Sequence, residues 1–427
     1  MLSRRRLLQL GSVAGAALVS EPRVLGEEPC SPVAPSIANL KSMKDQATPI
    51  TMEERAARQE KARRLMTEQH IDAIALTEGT SLNYFTGIRW WGGERLFAMI
   101  LPAKGNALFV CPAFEEGRAR EQIAKSPNAE QLDIRTWQED EDPYQRVAQG
   151  LADRGIASGN LGMEETIQFV FSSGIRKAAP QASIVSATPV TAGCRMIKSD
   201  HEVALMRLAA KVTLTAYEAA YRALKEGMTK PQFDDLISEA YDRLGFQGEA
   251  DVQVDQNTAN PHGSASAQII REGSIVMIDD GCRVEGYTSD ITRTFTVGKP
   301  SDKMKRVFDI VHGAQSAALK TARPGVQCQE VDAAARKVIV DAGFGPDYKY
   351  FTHRLGHGMG MDGHEWPYLV RGNTRPLEGN MTFSDEPGIY IPGEFGIRLE
   401  DDMHITENGA ELFTPQSPSL EDPFGKP

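Results

Sequence analysis

The rhythm of apolar and polar positions divides this 427-residue chain into two parts. Residues 52–70 are rich in Glu, Ala, Arg and Lys, with apolar residues at helical spacing, which predicts a helix. Three short, mostly apolar runs at 71–76, 96–101 and 107–111 read as strands. Alternation of this kind up to about residue 188 predicts a small α/β domain. From Met196 onward the style changes to longer helices followed by paired strands, which predicts an α+β domain. Ser199-Asp200-His201-Glu202 is a capping box: Ser199 caps the third helical amide while Glu202 reaches back. The helix is expected to run to near Glu226, with Gly227 as its stop. No run approaches the roughly 20 apolar residues of a membrane-spanning helix.

The second part repeats itself. At an offset of 98 residues, Met206 matches Met304, and Ala216, Ala219 and Ala220 match Ala314, Ala317 and Ala318. Gly227, Asp234, Gly245 and Phe246 match Gly325, Asp332, Gly343 and Phe344 at the same offset. Each half reads helix, helix, then a strand-rich stretch with acidic residues. A pseudo-twofold domain built this way brings one cluster of functional groups from each half to its central junction.

Composition narrows the function classes. With 41% hydrophobic and 25% charged residues the chain is an ordinary globular protein. Its net charge of −11 counts against nucleic-acid binding, which depends on neutralising phosphates. Five cysteines lie far apart with no C-x-x-C, which excludes a zinc ribbon and argues against a disulfide framework. The start, Ser3-Arg4-Arg5-Arg6-Leu7-Leu8 followed by a short apolar stretch from Leu10 to Val19, has the layout of an export signal. Its paired arginines resemble the twin-arginine type, so residues 1–26 are expected to direct export to a periplasm, with no stable membrane anchor. Pro29, Pro32, Pro35 and Pro49 make residues 27–50 an expected linker.

The candidate chemistry lies in two acidic hairpins and a histidine group. An apolar strand from Ser274 ends in Asp279-Asp280-Gly281, and Ser289-Asp290-Ile291-Thr292-Arg293 follows. A turn near Val284 and Glu285 places 279 opposite 290, so that their side chains share one face. Two adjacent carboxylates repel and need a cation or a shared proton. In the second half Asp385-Glu386-Pro387-Gly388 leads into a strand, turns at Pro392-Gly393-Glu394, and returns through Gly396-Ile397-Arg398-Leu399-Glu400. A hairpin centred on Gly393 places 386 opposite 400. Asp280 and Asp385 read as surface residues or as supports to these pairs. Between the hairpins lie His353-Arg354-Leu355-Gly356-His357-Gly358 and His364-Glu365-Trp366-Pro367; His262 stands in Asn260-Pro261-His262-Gly263. Four carboxylates and a histidine in this order point to a dinuclear metal site.

These segments resemble the pita-bread metallopeptidases, the group of aminopeptidase P, prolidase, methionine aminopeptidase and the metal-free creatinase. The resemblance rests on I-D-x-G, S-D-I-T-R-T-F, H-x-x-G-H-G, D-E-P-G-I-Y and G-I-R-x-E-D, and spans residues 52 to about 415. It implies a creatinase-like α/β N-terminal domain over 51–188 and an α+β pita-bread catalytic domain with its pseudo-twofold repeat over 189–420. Asn83-Tyr84-Phe85-Thr86-Gly87 resembles the N-terminal domain that methionine aminopeptidases lack.

The resemblance also assigns roles. Asp279, Asp290, His357, Glu386 and Glu400 match five ligands of two divalent ions, with Asp290 and Glu400 bridging. Oxygen-rich ligands with one imidazole suit Mn²⁺, with Co²⁺, Fe²⁺ and Zn²⁺ as alternatives. The implied reaction is attack of a metal-bridging hydroxide on the peptide bond before proline, in a peptide or a dipeptide. Glu386 would also move the proton, His262 and His364 would bind substrate and stabilise the tetrahedral intermediate, and His353 and Arg398 would lie on the substrate side. Thr292 is a candidate support for a ligand carboxylate. Trp366 is a candidate apolar wall, as is one ring of Trp90-Trp91, whose neighbours in a strand point to opposite faces. The resemblance further implies a homodimer or higher homo-oligomer. A catalytically silent binding protein, or a creatinase-like hydrolase of a small amidine, is the competing class. Such members lose metal ligands, and here all five positions are filled.

Overall fold

The computed structural model describes residues 33–131 and 133–425, so the expected export segment and the first residues of the expected linker lie outside the described residues. The rest of that linker is not loose. Pro35–Ala38 forms a helical turn whose Ser36 hydroxyl donates to the Ala219 carbonyl at 2.8 Å. The Met43 amide donates to the Leu244 carbonyl at 2.9 Å. Ile37, Met43 and Ile50 are buried and anchor the segment.

The first domain is a six-stranded mixed sheet flanked by helices. Its strands run in the order Asp133–Trp137, Leu108–Pro112, Ala98–Pro102, Ala73–Leu76, Asn160–Met163 and Ser183–Ser186. The helix Met52–Glu68 opens with a capping box between Thr51 and Glu54. Central strands are buried along their whole length, which explains why their sequences are continuous apolar runs.

In the second domain the helix Asp200–Ala223 carries the expected Ser199–Glu202 box. It stops three residues before Glu226, because Leu224 turns extended with ψ 138°. A second helix, Lys230–Leu244, follows, and the pair recurs as Asp302–Thr321 and Cys328–Asp341. The repeat extends to backbone hydrogen bonds. The Gly227 amide donates to the Ile270 carbonyl at 2.8 Å, and the Gly325 amide to that of Leu377 at 2.9 Å. Helices of the second half pack Val307 and Val311 against Phe383, Ile397 and Met403 of the strands beneath. That apolar layer backs the hairpins that carry the acidic groups.

Candidate metal centre

The second hairpin has the expected register. Gly388–Ile391 pairs with Phe395–Arg398 so that Gly388 faces Arg398, and Thr382–Asp385 pairs with Asp401–Ile405 so that Asp385 faces Asp401. Glu386 and Glu400 fall between these two ladders, each on its own side of the hairpin. The first hairpin is displaced from expectation. Val284 pairs with Tyr287, and Glu285 (φ 50°) and Gly286 (φ 94°) form the turn, one residue later than expected. Arg293 pairs with Ile278, so the residue across from Asp279 is Thr292, not Asp290. A one-residue shift of the turn changes the pairing by two residues. Two residues is the side-chain period of a strand, so Asp290 stays on the face of Asp279.

Three of the expected ligand residues, Asp290, His357 and Glu400, offer ligand atoms within 4.8 Å of one another. Nε2 of His357 lies 3.7 Å from Asp290 and 3.3 Å from Glu386. Its Nδ1 donates to the Gly358 carbonyl at 3.2 Å, which aims the other nitrogen at the carboxylates. Thr292 links the remaining member: its hydroxyl lies 2.6 Å from Asp279 and 2.6 Å from Glu400, and its single proton serves one carboxylate at a time. His357 reaches this position because glycines flank it. A Cβ on Gly356 would stand 2.0 Å from the Ser384 carbonyl oxygen, and one on Gly358 2.6 Å from that of Glu365. The glycines of H-x-x-G-H-G therefore let the histidine strand lie tight between its neighbours.

The electrostatics ask for cations. Burial pushes the Glu386 carboxyl up to about 7. Asp290 and Glu400 are pushed well above the usual carboxylate range by burial, then by their acidic neighbours Asp279 and Asp290 respectively. Burial, followed by the neighbouring His364, lowers His357 to about 3, so its imidazole is neutral and free to ligate. Buried carboxylates that repel one another beside a neutral imidazole fit a divalent-metal donor set.

The expected substrate residues divide into two groups. Arg398 is buried and each of its three guanidinium nitrogens is engaged within the protein. It binds Asp279, Thr292 at 2.9 Å, the Pro261 carbonyl at 3.0 Å and the Tyr390 hydroxyl at 3.1 Å. Among its partners is the carboxylate of Asp279, an expected ligand residue, which it fixes in place. His353 is similarly engaged: Nδ1 donates to the Arg354 carbonyl at 2.8 Å, and Nε2 lies 2.8 Å from the Tyr390 hydroxyl. Burial, then the charge of Arg398, lowers it to about 3 and keeps it neutral. His262 and His364 are both exposed, and His364 lines the cavity described below. The His364 ring stacks on His357 with centroids 3.8 Å apart.

A cavity of about 360 Å³ opens beside His364, walled by Trp366 and Tyr368 and, from the first domain, by Glu78, Ser81 and Glu164. The tandem tryptophans are not part of that wall. Trp90 stacks on Phe97 at 3.9 Å, and Trp91 is 78% exposed. Asp385 is fully buried, so it is not a surface residue. Two neighbours of the centre escaped the sequence reading. Tyr390 bridges His353 and Arg398, yet its place inside an apolar strand marked it as core. Ser384 accepts from the His357 amide at 3.0 Å and donates to Glu386 at 3.2 Å. Both belong to the run around D-E-P-G-I-Y, which was the available signal.

A creatinase-like domain packed on a repeated α+β domain, with four acids and a histidine at its junction, defines a two-domain metallopeptidase. The chain belongs to metallopeptidase family M24, which matches residues 204–407, while residues 58–197 match the creatinase/prolidase N-terminal domain. It is 32% identical to an Xaa-Pro dipeptidase of Lactobacillus delbrueckii subsp. lactis, over 84% of this chain and 97% of that protein. Among solved structures it is similar to dipeptidase PepE from Mycobacterium ulcerans, with 34% identity, TM-score 0.82, and coverage of 88% of this chain and 99% of that one. It is also similar to the Xaa-Pro dipeptidase from Bacillus anthracis, with 30% identity, TM-score 0.74, and coverage of 84% and 97%.

Proposed function

We propose that the chain hydrolyses the peptide bond before proline, using two divalent ions, Mn²⁺ first among them, held by Asp279, Asp290, His357, Glu386 and Glu400. The observation that carries this reading is the convergence of all five side chains from both halves of the repeat, beside relatives named Xaa-Pro dipeptidases. Four carboxylates balance two divalent charges. When bound, such ions supply an ionised water at neutral pH and polarise the scissile carbonyl.

The chain's own residues supply the rest. Arg398 and Thr292 orient Asp279 and Glu400. Glu386, raised to about 7 by burial, is suited to accept a proton from the attacking water and pass it to the leaving nitrogen. His262 and His364, both exposed, would donate to the substrate carbonyl as it becomes an oxyanion. Trp366 and Tyr368, ring centroids 4.6 Å apart, offer an apolar wall for the proline ring. The Arg4-Arg5-Arg6 start supports action after export.

Matched Ala-Pro and Ala-Ala dipeptides, assayed with the Mn²⁺ enzyme, test the reading. The expected result is a preference for Ala-Pro of roughly 10–200-fold, the range that apolar contacts supply. Equal kcat/KM for the two would remove the proline assignment.

A further inference from the structure

The sheet of the first domain reverses its strand order beside Ala73–Leu76. Ala98–Pro102, Leu108–Pro112 and Asp133–Trp137 follow one another on one side of it, and Asn160–Met163 and Ser183–Ser186 on the other. The last two strands run parallel to Ala73–Leu76. In open α/β sheets such a switch point leaves a crevice at the carboxyl ends of the strands, where ligands bind. The residues that follow these ends are 78–81, 164–166, and Thr188 with Thr191, and all of them line the cavity beside His364. The second domain supplies the rest of the wall, including Glu365, Trp366 and Tyr368.

The charges around this cavity are unbalanced. Glu78, Glu164, Glu165, Asp362 and Glu365 stand against one lining cation, Arg195, which is committed to Asp362 and Glu365. Glu78 accepts from the Gln168 amide at 2.8 Å and Glu165 from the Trp366 indole at 2.9 Å, both neutral donors. Glu164 is only 8% exposed and has no ion-pair partner among the described residues. The Ser81 hydroxyl, on a residue 1% exposed, makes no well-formed hydrogen bond to it or to any other group. Burial raises the Glu164 carboxyl, and nearby Ser81 and the charge of Arg195 offset only part of that. A buried carboxylate is costly unless a cation reaches it. That cation is not a metal ion held by the wall. Among the described residues three metal-ligating side chains converge at Asp290, His357 and Glu400, and at no point of this cavity. A cavity of about 360 Å³, against roughly 30 Å³ for one water, takes an elongated organic cation instead.

We infer that this crevice is a specificity subsite for the cationic side chain of a leaving lysine or arginine, with Glu164 as its receptor, so that the chain cleaves X-Lys and X-Arg bonds as well as X-Pro; the inference rests on the hydrolytic reading of the site above. The cavity meets the centre at His364, whose ring stacks on His357. Trp366 and Tyr368, the rings set against the leaving residue, form part of the same wall. A long cationic side chain lays its methylene stem along apolar surface and extends its charged head beyond it. The rings suit the stem, and Glu164 with Glu78 and Glu165 suits the head. The chemistry is the same hydrolysis: the C–N bond breaks, water gives its hydroxyl to the carbonyl carbon, and its proton goes to the leaving nitrogen. Glu164 is thus a specificity-determining residue contributed by the first domain.

The test compares Ala-Lys with Ala-Met, a neutral side chain of similar length, in the wild type and in Glu164→Gln. A hydrogen bond between charged groups predicts that the wild type favours Ala-Lys by roughly 10- to 150-fold in kcat/KM. Glu164→Gln should bring that ratio close to one, chiefly through KM for Ala-Lys. A ratio near one in the wild type, or a ratio unchanged in Glu164→Gln, overturns the inference. Lys-Ala against Met-Ala checks the side of the bond: a lysine preference found only there places the cation on the other residue and also overturns it. Ala-Pro, assayed in parallel, reports the hydrolytic reading separately. If no dipeptide is cleaved, calorimetric titration of Ala-Lys and Ala-Met reads the same contact without turnover. Tighter binding of Ala-Lys that is lost in Glu164→Gln supports the subsite, and equal affinities overturn it. Matching thermal melts confirm that the variant is folded.

Discussion

The hydroxyl of Thr292 stands 2.6 Å from Oδ1 of Asp279, directly across the first hairpin, and also reaches Glu400 from the other half of the repeat. One small side chain therefore ties together carboxylates that belong to different hairpins, while accepting from Arg398 at 2.9 Å. Thr292→Val keeps the shape and removes the hydroxyl. Supporting partners of ligand residues typically contribute 10–100-fold to metal affinity or activity. The variant is expected to bind Mn²⁺ about that much more weakly, as read by titration against a competing chelator. Affinity equal to wild type would show that Arg398 alone orients Asp279.

Asp290 sits at the meeting point of His357 and Glu400. Asp290→Asn removes a charge from the pair of carboxylates proposed to touch both ions. Metal analysis of the purified variant is expected to give well under the two ions per chain proposed for the wild type. Chelation should abolish wild-type activity, and Mn²⁺ or Co²⁺ should restore it. Full turnover by thoroughly chelated protein would sink the metal mechanism.

His364→Ala separates chemistry from metal loading. Removal of one donor to a developing oxyanion commonly costs about 10²–10³ in rate. The variant should retain its metal and lose kcat by that order. If kcat and KM are both unchanged, the stacking of His364 on His357 is merely structural.

Glu365 makes a pH prediction away from the ligands. Burial by itself raises its carboxyl, but Lys198 and Arg195 overcome that and hold it at about 2, against an ordinary value of 4.5. A carboxylate depressed by folding stabilises the protein above the unfolded value and loses that contribution as pH falls toward the folded one. The difference corresponds to on the order of 3 kcal/mol. Glu365→Gln should therefore be markedly less stable than wild type near neutral pH, and the gap should narrow as pH drops below about 4.5. Urea midpoints measured across that range check it; a gap independent of pH would show that the ion pair is not its source.

Local chemistry along the chain determined much of this protein. The capping boxes at Thr51 and Ser199 act between residues three apart, so a sequence states them completely. The 98-residue repeat is visible because each half must bury the same helix pair on its own strands. The Glu386–Glu400 pairing followed from Gly393, since a tight turn specifies the register of the residues that flank it. The first hairpin was less legible, because Val284, Glu285 and Gly286 allow turns one residue apart, and only pairing with neighbouring strands selects Glu285-Gly286.

What tertiary structure alone decided is the allocation of partners. Arg398, His353 and Arg354 are all polar residues near a candidate centre, and their sequence context does not say which of them is already occupied. Tyr390, Thr292 and the Pro261 carbonyl claim Arg398 because the two halves of the repeat close on one another. His353 is claimed by Tyr390 in the same way, whereas Arg354 lies over Tyr368 and has no ion-pair partner among the described residues. Hydrogen-bond satisfaction is settled between groups distant along the chain, so it emerges only once the chain is folded.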